Sequence, residues 1–131
     1  MQKGGPVIYF KELSYKIIGL MNEVYNELGY GYQEKYYEKA VAKIFNINKI
    51  KYSRQVPYKL VFKKEIIGRY YIDFIVENKI VLELKKGSYF PRKNIEQVVA
   101  YLKATNLNLG ILINFTPDNV KFKRILNPNN L

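Results

Sequence analysis

Asp73 ends the run Tyr71-Ile72-Asp73, and ten residues later Glu83-Leu84-Lys85 sets an acid and a lysine two apart. Side chains alternate along a strand, so Val81, Glu83 and Lys85 share one face of an extended run and Leu82 and Leu84 share the other. Glu77-Asn78-Lys79 reads as a tight turn, which makes the two runs antiparallel neighbours and sets position 73 opposite position 83. Carboxylates that close repel, and one is driven toward protonation unless a cation lies between them. A divalent ion there would polarise a phosphate and lower the pKa of a bound water. Lys85 is placed to orient that water or to neutralise charge developing on the phosphorane. The plain alternative is an ordinary ion pair on a strand surface.

Composition narrows the ion and its partner. The chain has no histidine and no cysteine. Imidazole sites, serine–histidine triads, disulfides, zinc fingers and thiolate-held clusters are therefore excluded. Oxygen ligands remain, and they favour Mg²⁺ or Mn²⁺. Lysine and arginine number 22 against 11 acids, for a net charge of +11 and a pI near 9.7. That surplus favours a polyanion, most often nucleic acid, because neutralised phosphates release condensed counterions. Lys86, Arg92, Lys93 and Arg69 are candidate phosphate contacts by nearness in sequence, with a solvated basic rim as the equal alternative. Thirteen tyrosines and seven phenylalanines serve either as core rings with a wet hydroxyl or as stacking platforms for bases. No apolar stretch is long enough to span a bilayer and no signal-peptide core stands at the start, which with the lack of cysteine fits the cytoplasm.

The 131 residues, 48% of them hydrophobic, suffice for one core and read as a single domain, 1–131. Residues 1–10, with Gly4-Gly5-Pro6, and residues 127–131 are expected to be flexible tails. Leu13, Ile17, Leu20, Val24 and Leu28 recur at helical spacing, and Gly29 and Gly31 end that helix. A second helix is expected from Gln33 to Phe45, with Tyr37, Val41, Ile44 and Phe45 inward. Strands are expected at 52–62, 66–77 and 79–86, the first at an edge or bulged because of Pro57. A third helix runs from Pro91 to Thr105, with Asn94 and Gln97 resembling a capping box unless Pro91 begins it earlier. Strands at 109–115 and 120–126 close an α/β order of α-α-β-β-β-α-β-β.

Two further groups could join the carboxylates. Glu34 opens the second helix, either as a capping charge in its first turn or as a third carboxylate near a metal. Glu38, four residues on, lies on much the same face and is set aside as a decoy. Gln97 and Tyr101 share a face of the third helix, where an amide and a phenol could bind phosphate, water or the lysine, or simply form a polar rim.

Together these residues resemble the PD-(D/E)XK nuclease superfamily, and within it the small branch with a GxxExxY motif. That motif stands here as Gly31-Tyr32-Gln33-Glu34-Lys35-Tyr36-Tyr37. The stretch from Ile67 to Val76 resembles the strand carrying the metal aspartate, with Ile72 where proline often stands. Ile80 to Lys85 resembles the ExK strand, Gln97 to Tyr101 the QxxxY element of RecB-type and lambda-exonuclease-type nucleases, and Gly110 to Phe115 the closing strand. The likeness runs over about residues 14 to 126. It implies a restriction-endonuclease-like core, a central mixed sheet flanked by helices. It implies Asp73, Glu83 and the backbone carbonyl of Leu84 as metal ligands, assisted by Glu34. Lys85 would then be the catalytic lysine, with Gln97 and Tyr101 near the site. The expected activity is Mg²⁺-dependent hydrolysis of DNA phosphodiester bonds by a metal-activated water. The rival expectation is a catalytically inactive nucleic-acid-binding or protein-interaction module on the same fold. The aromatic content permits a homodimer.

Overall fold

The computed structural model describes residues 9–131, so most of the expected N-terminal tail lies outside the described residues. Helix α1 spans Lys11–Leu28 and buries Ile17, Leu20 and Val24 from the expected stripe. Gly29 ends it at φ 74, and Gly31 at φ 115 turns the chain toward the next helix. Such left-handed angles strain any residue with a Cβ, and here they fall on glycine. Helix α2 spans Glu34–Ile47 and turns Tyr37, Val41, Ile44 and Phe45 inward. The strands are β1 (Tyr52–Phe62), β2 (Glu65–Val76) and β3 (Ile80–Lys86), followed by helix α3 (Arg92–Thr105) and strands β4 (Leu109–Phe115) and β5 (Val120–Leu126). Pro91 enters α3 at φ −59, and no side chain caps it. Asn94 therefore lies inside the first turn, so the capping box does not form.

The five strands form one sheet in the order β1-β2-β3-β4-β5. Only β3 and β4 are parallel, joined by α3 as the crossover that parallel strands require. Both are buried on the two faces, which explains their nearly unbroken apolar runs. One face carries α1 and α2 over Phe74, Val76, Leu82, Leu84, Ile111 and Phe115. The other carries α3 over Ile72, Val81, Leu112 and Ile125. No helix among the described residues is long and apolar enough to cross a membrane.

Strand β1 is an edge strand, and its register with β2 shifts at Leu60/Val61, so the strand has both features that Pro57 suggested, the shift lying beyond the proline itself. Two tight turns organise this side of the sheet. Glu77 and Asn78 both have positive φ, as a hairpin turn matched to strand twist demands. Lys63 and Lys64 do the same between β1 and β2, without the Asn-Gly or Asp-Gly pair that would have announced it.

At the C-terminus one side chain makes long-range contacts. Asn127 is buried and donates from Nδ2 to the carbonyls of Leu102 and Leu107, at 3.0 and 2.9 Å. Its Oδ1 accepts from the backbone N–H of Asn129, which starts a short 3-10 turn over Pro128–Asn130. One amide thus ties the last strand to the end of α3 and satisfies the Leu102 carbonyl, which the helix leaves open, and the Leu107 carbonyl beyond it.

Helix α3 must lie close to the sheet to bring Gln97 and Tyr101 near the strand ends. Gly110 permits this, because a Cβ there would stand 2.5 Å from Val98 Cγ1. We expect Gly110→Ala to destabilise the fold by about 1–3 kcal/mol through overpacking, measured by urea denaturation. A change within experimental error would mean that α3 can lift off the sheet freely.

Candidate metal and phosphate site

Strands β2 and β3 pair backbone to backbone only from Phe74/Leu82 to Val76/Ile80. Beyond Phe74 they separate like a fork. Phe74 and Val76 face the α1–α2 core, whereas Ile72 packs into the α3 core. Residues of one parity thus lie on opposite sides, so β2 turns over at Asp73. Strand β1 turns over with it: Tyr52 packs on the α1–α2 side, Val56 and Tyr58 on the α3 side. Between them Gln55 takes φ 50, and the ladder skips the Gln55–Asp73 step.

Side chains complete what the backbone ladder leaves open. The Glu83 carboxylate accepts the Asp73 backbone N–H at 2.6 Å, and the Asp73 carboxylate accepts the Leu84 backbone N–H at 2.9 Å. The two carboxylates are therefore held at the crotch of the fork, each tied to the other strand. The expected opposition of 73 and 83 is present, made through these bonds and not through the ladder.

The electrostatics are severe. Glu83 is only 2% exposed. Burial pushes its carboxyl up to about 8, and the neighbouring Asp73 charge adds to that. Burial also raises Asp73, against the Leu84 N–H and the Lys85 charge, which both favour its ionised form. Among the described residues the salt bridges are Arg54–Glu38 and Arg92–Glu96, so neither acid of the pair has a cation of its own. Such a pair conflicts with itself when ionised and is relieved by a shared cation. The donors are oxygens alone, which fits Mg²⁺ or Mn²⁺. No three acidic side chains among the described residues cluster tightly enough to hold an ion by themselves. Two carboxylates completed by backbone oxygen, water and substrate phosphate are the usual way Mg²⁺ is held.

The two acids of helix α2 are held differently. Glu34 accepts the Lys86 backbone N–H at 3.1 Å and secures the end of β3. Glu38, the residue set aside as a decoy, is the helical acid whose charge bears on both Asp73 and Glu83. It pairs with Arg54 at 2.9 Å and accepts from Gln55 Nε2, which also reaches Asp73 Oδ1 at 3.3 Å. One turn of helix separates the two acids, and only the docking of α2 decides which one meets the fork. Gln55 and Arg54 carried no signal in the sequence.

The GxxExxY residues act here as a clamp. Gly31 shapes the loop, Glu34 holds β3, and the buried Tyr37 donates its hydroxyl to the Gly29 carbonyl while stacking on Phe115 with centroids 4.2 Å apart. Tyr101 is buried against the fork, and its phenol is raised by burial and then by the Glu83 and Asp73 charges. Gln97 lies one turn earlier and contributes a buried Oε1 without a hydrogen-bond partner.

The basic residues divide. Lys86 is engaged, donating to the Tyr32 carbonyl at 3.0 Å with its ammonium near the Tyr30 ring. Arg92 pairs with Glu96 at 3.6 Å, Lys93 is exposed, and Arg69 stands opposite Lys59 on the β1–β2 hairpin.

Comparison with known proteins agrees with this architecture. No curated protein matches the chain. Among solved structures, the crystal structure of SSO0001 superposes with a TM-score of 0.55 at 18% identity, covering 91% of this chain and 58% of that one. At that identity the likeness speaks for the fold, and the chain spans little more than half the length of that protein. The family model of the PD-(D/E)XK nuclease superfamily matches residues 11–125. With its five-stranded mixed sheet flanked by helices, a restriction-endonuclease-like fold, the chain belongs to the PD-(D/E)XK nuclease superfamily.

Proposed function

We propose that this domain is a Mg²⁺-dependent nuclease of the GxxExxY branch that hydrolyses DNA phosphodiester bonds. The observation that carries the reading is the pair of buried Glu83 and half-buried Asp73, held without a cation partner in a chain of net charge +11. A non-catalytic binder of phosphates gains nothing by burying two acids beside them.

Asp73 and Glu83 would hold the ion, with the Leu84 peptide beside them and Glu38, bonded to Gln55, adding negative charge nearby. Bound there, Mg²⁺ supplies Lewis acidity toward a phosphoryl oxygen and a more acidic water. Lys85 follows Glu83 by two residues on β3, and its charge opposes the upward pKa shift of both carboxyls. It neutralises charge developing on the phosphate or orients the attacking water. The backbone bonds to Asp73 and Leu84 hold the two acids so that little reorganisation accompanies the reaction. The exposed Lys93 and the Arg69–Lys59 pair offer charge to flanking phosphates.

Glu83→Ala should abolish metal-dependent cleavage of labelled DNA while the protein still folds. Lys85→Ala should slow the chemical step by about 2–4 kcal/mol, roughly a hundred- to a thousandfold. Undiminished single-turnover cleavage in either variant would remove that residue from the site.

The raised Glu83 makes a second expectation. An acid whose pKa is higher folded than unfolded holds an extra proton in the native state, so stability falls as pH rises from the ordinary 4.5 toward about 8. In EDTA, Glu83→Gln should therefore melt above wild type at pH near 8 and lose most of that advantage near pH 5. A Gln variant less stable by the same amount at both pH values would show that Glu83 is not strained when ionised.

A further inference from the structure

The far half of the β1–β2 hairpin extends past the fork, and its two faces differ. On one face Tyr58 stands opposite Tyr70 and Leu60 opposite Gly68. On the other, Pro57 stands opposite Tyr71 and Lys59 opposite Arg69. The first face looks toward α3, and between them lies a cavity of about 330 Å³ lined by Tyr58, Leu60, Tyr70, Gln97 and Tyr101, with Glu96 at its side. The rings run in series: Tyr58 and Tyr70 have centroids 6.2 Å apart at 20°, and Tyr70 meets Tyr101 at 6.2 Å and 63°. Tyr101 is also the ring next to Glu83 and Asp73.

We propose that this cavity is a slot for one unpaired nucleobase, so that the preferred substrate is single-stranded nucleic acid or an unpaired end; the inference deepens the nuclease reading and rests on it for the scissile phosphate. A base is flat, aromatic on its faces and polar at its edge. The tyrosines supply stacking surface that tolerates any base. The buried Gln97 Oε1, which has no partner in the protein, accepts a hydrogen bond from an edge N–H. Paired bases present neither a free face nor a free Watson–Crick edge, so a duplex cannot use the slot without opening. The basic Lys59–Arg69 pair on the opposite face of the hairpin supplies charge that single strand and duplex can use alike.

The test is binding of labelled single-stranded and blunt-duplex oligonucleotides, DNA and RNA, in EDTA, so that no cleavage is read. Single strand should bind roughly tenfold tighter than duplex, and Tyr70→Ala and Gln97→Leu should each reduce single-strand affinity roughly tenfold with duplex affinity kept. A 2-aminopurine in the strand should be quenched by wild type and not by Tyr70→Ala. Tyr71→Ala, also a tyrosine on this hairpin but on the other face, should keep the single-strand preference. Either sugar giving this pattern supports the slot, and the tighter one identifies the nucleic acid. Equal affinity for single strand and duplex, or the same loss from Tyr71→Ala as from Tyr70→Ala, overturns the proposal. Because the assay is independent of cleavage, an inactive protein that shows the pattern would lose the nuclease reading and keep the slot.

Discussion

The exchange of carboxylates across the β2–β3 fork is the interaction on which the rest of this structure depends. Where two strands part, each leaves backbone groups that the ladder no longer satisfies, and buried N–H groups are rarely left so. Here Glu83 takes the Asp73 N–H and Asp73 takes the Leu84 N–H. The same contacts that end the ladder hold a buried and a half-buried acid together. The cost is visible in their raised pKa values, which come first from burial and, at Glu83, then from the Asp73 charge. Strain of this kind clusters at functional sites, and the proposed cation site would be a direct use of it.

The other elements can be understood by how they hold the fork. The parallel β3–β4 pair forms a rigid floor buried on both faces. Helix α2 is fixed to the end of β3 by Glu34 and to the preceding loop by Tyr37, and that docking sets Glu38 over the turn-over at Asp73. Helix α3 comes down on Gly110 and brings Tyr101 against the acids. Asn127 then ties the last strand to the end of α3. Each of these is a polar or steric constraint at one named atom, acting on a core that is otherwise plain apolar packing.

Much of this was legible in the residues. Helical spacing in α1 and α2 and the apolar run of β4 predicted elements that the structure bears out to within about two residues, because the periods are strong and the ends carry glycine, proline or asparagine. The opposition of Asp73 and Glu83 followed from one turn and simple alternation. The choice between Glu34 and Glu38 did not, since both share a helix face and only tertiary docking separates them. Nor did the reversal of facing at Gln55 and Asp73, which breaks the alternation on which strand reading rests. The Lys63-Lys64 turn uses residues without turn preference, and the C-terminal anchor depends on one asparagine meeting carbonyls far away in sequence.

The most direct test of the account is a calorimetric titration of the purified protein with Mn²⁺ near neutral pH, repeated in buffers of different ionisation enthalpy. With Glu83 pushed up to about 8, a proton sits on the pair before the ion arrives. Saturable binding with proton release is expected, both lost in Asp73→Asn. Binding without proton release, binding unchanged in Asp73→Asn, or no binding at all would contradict the claim that the fork is built to take a cation.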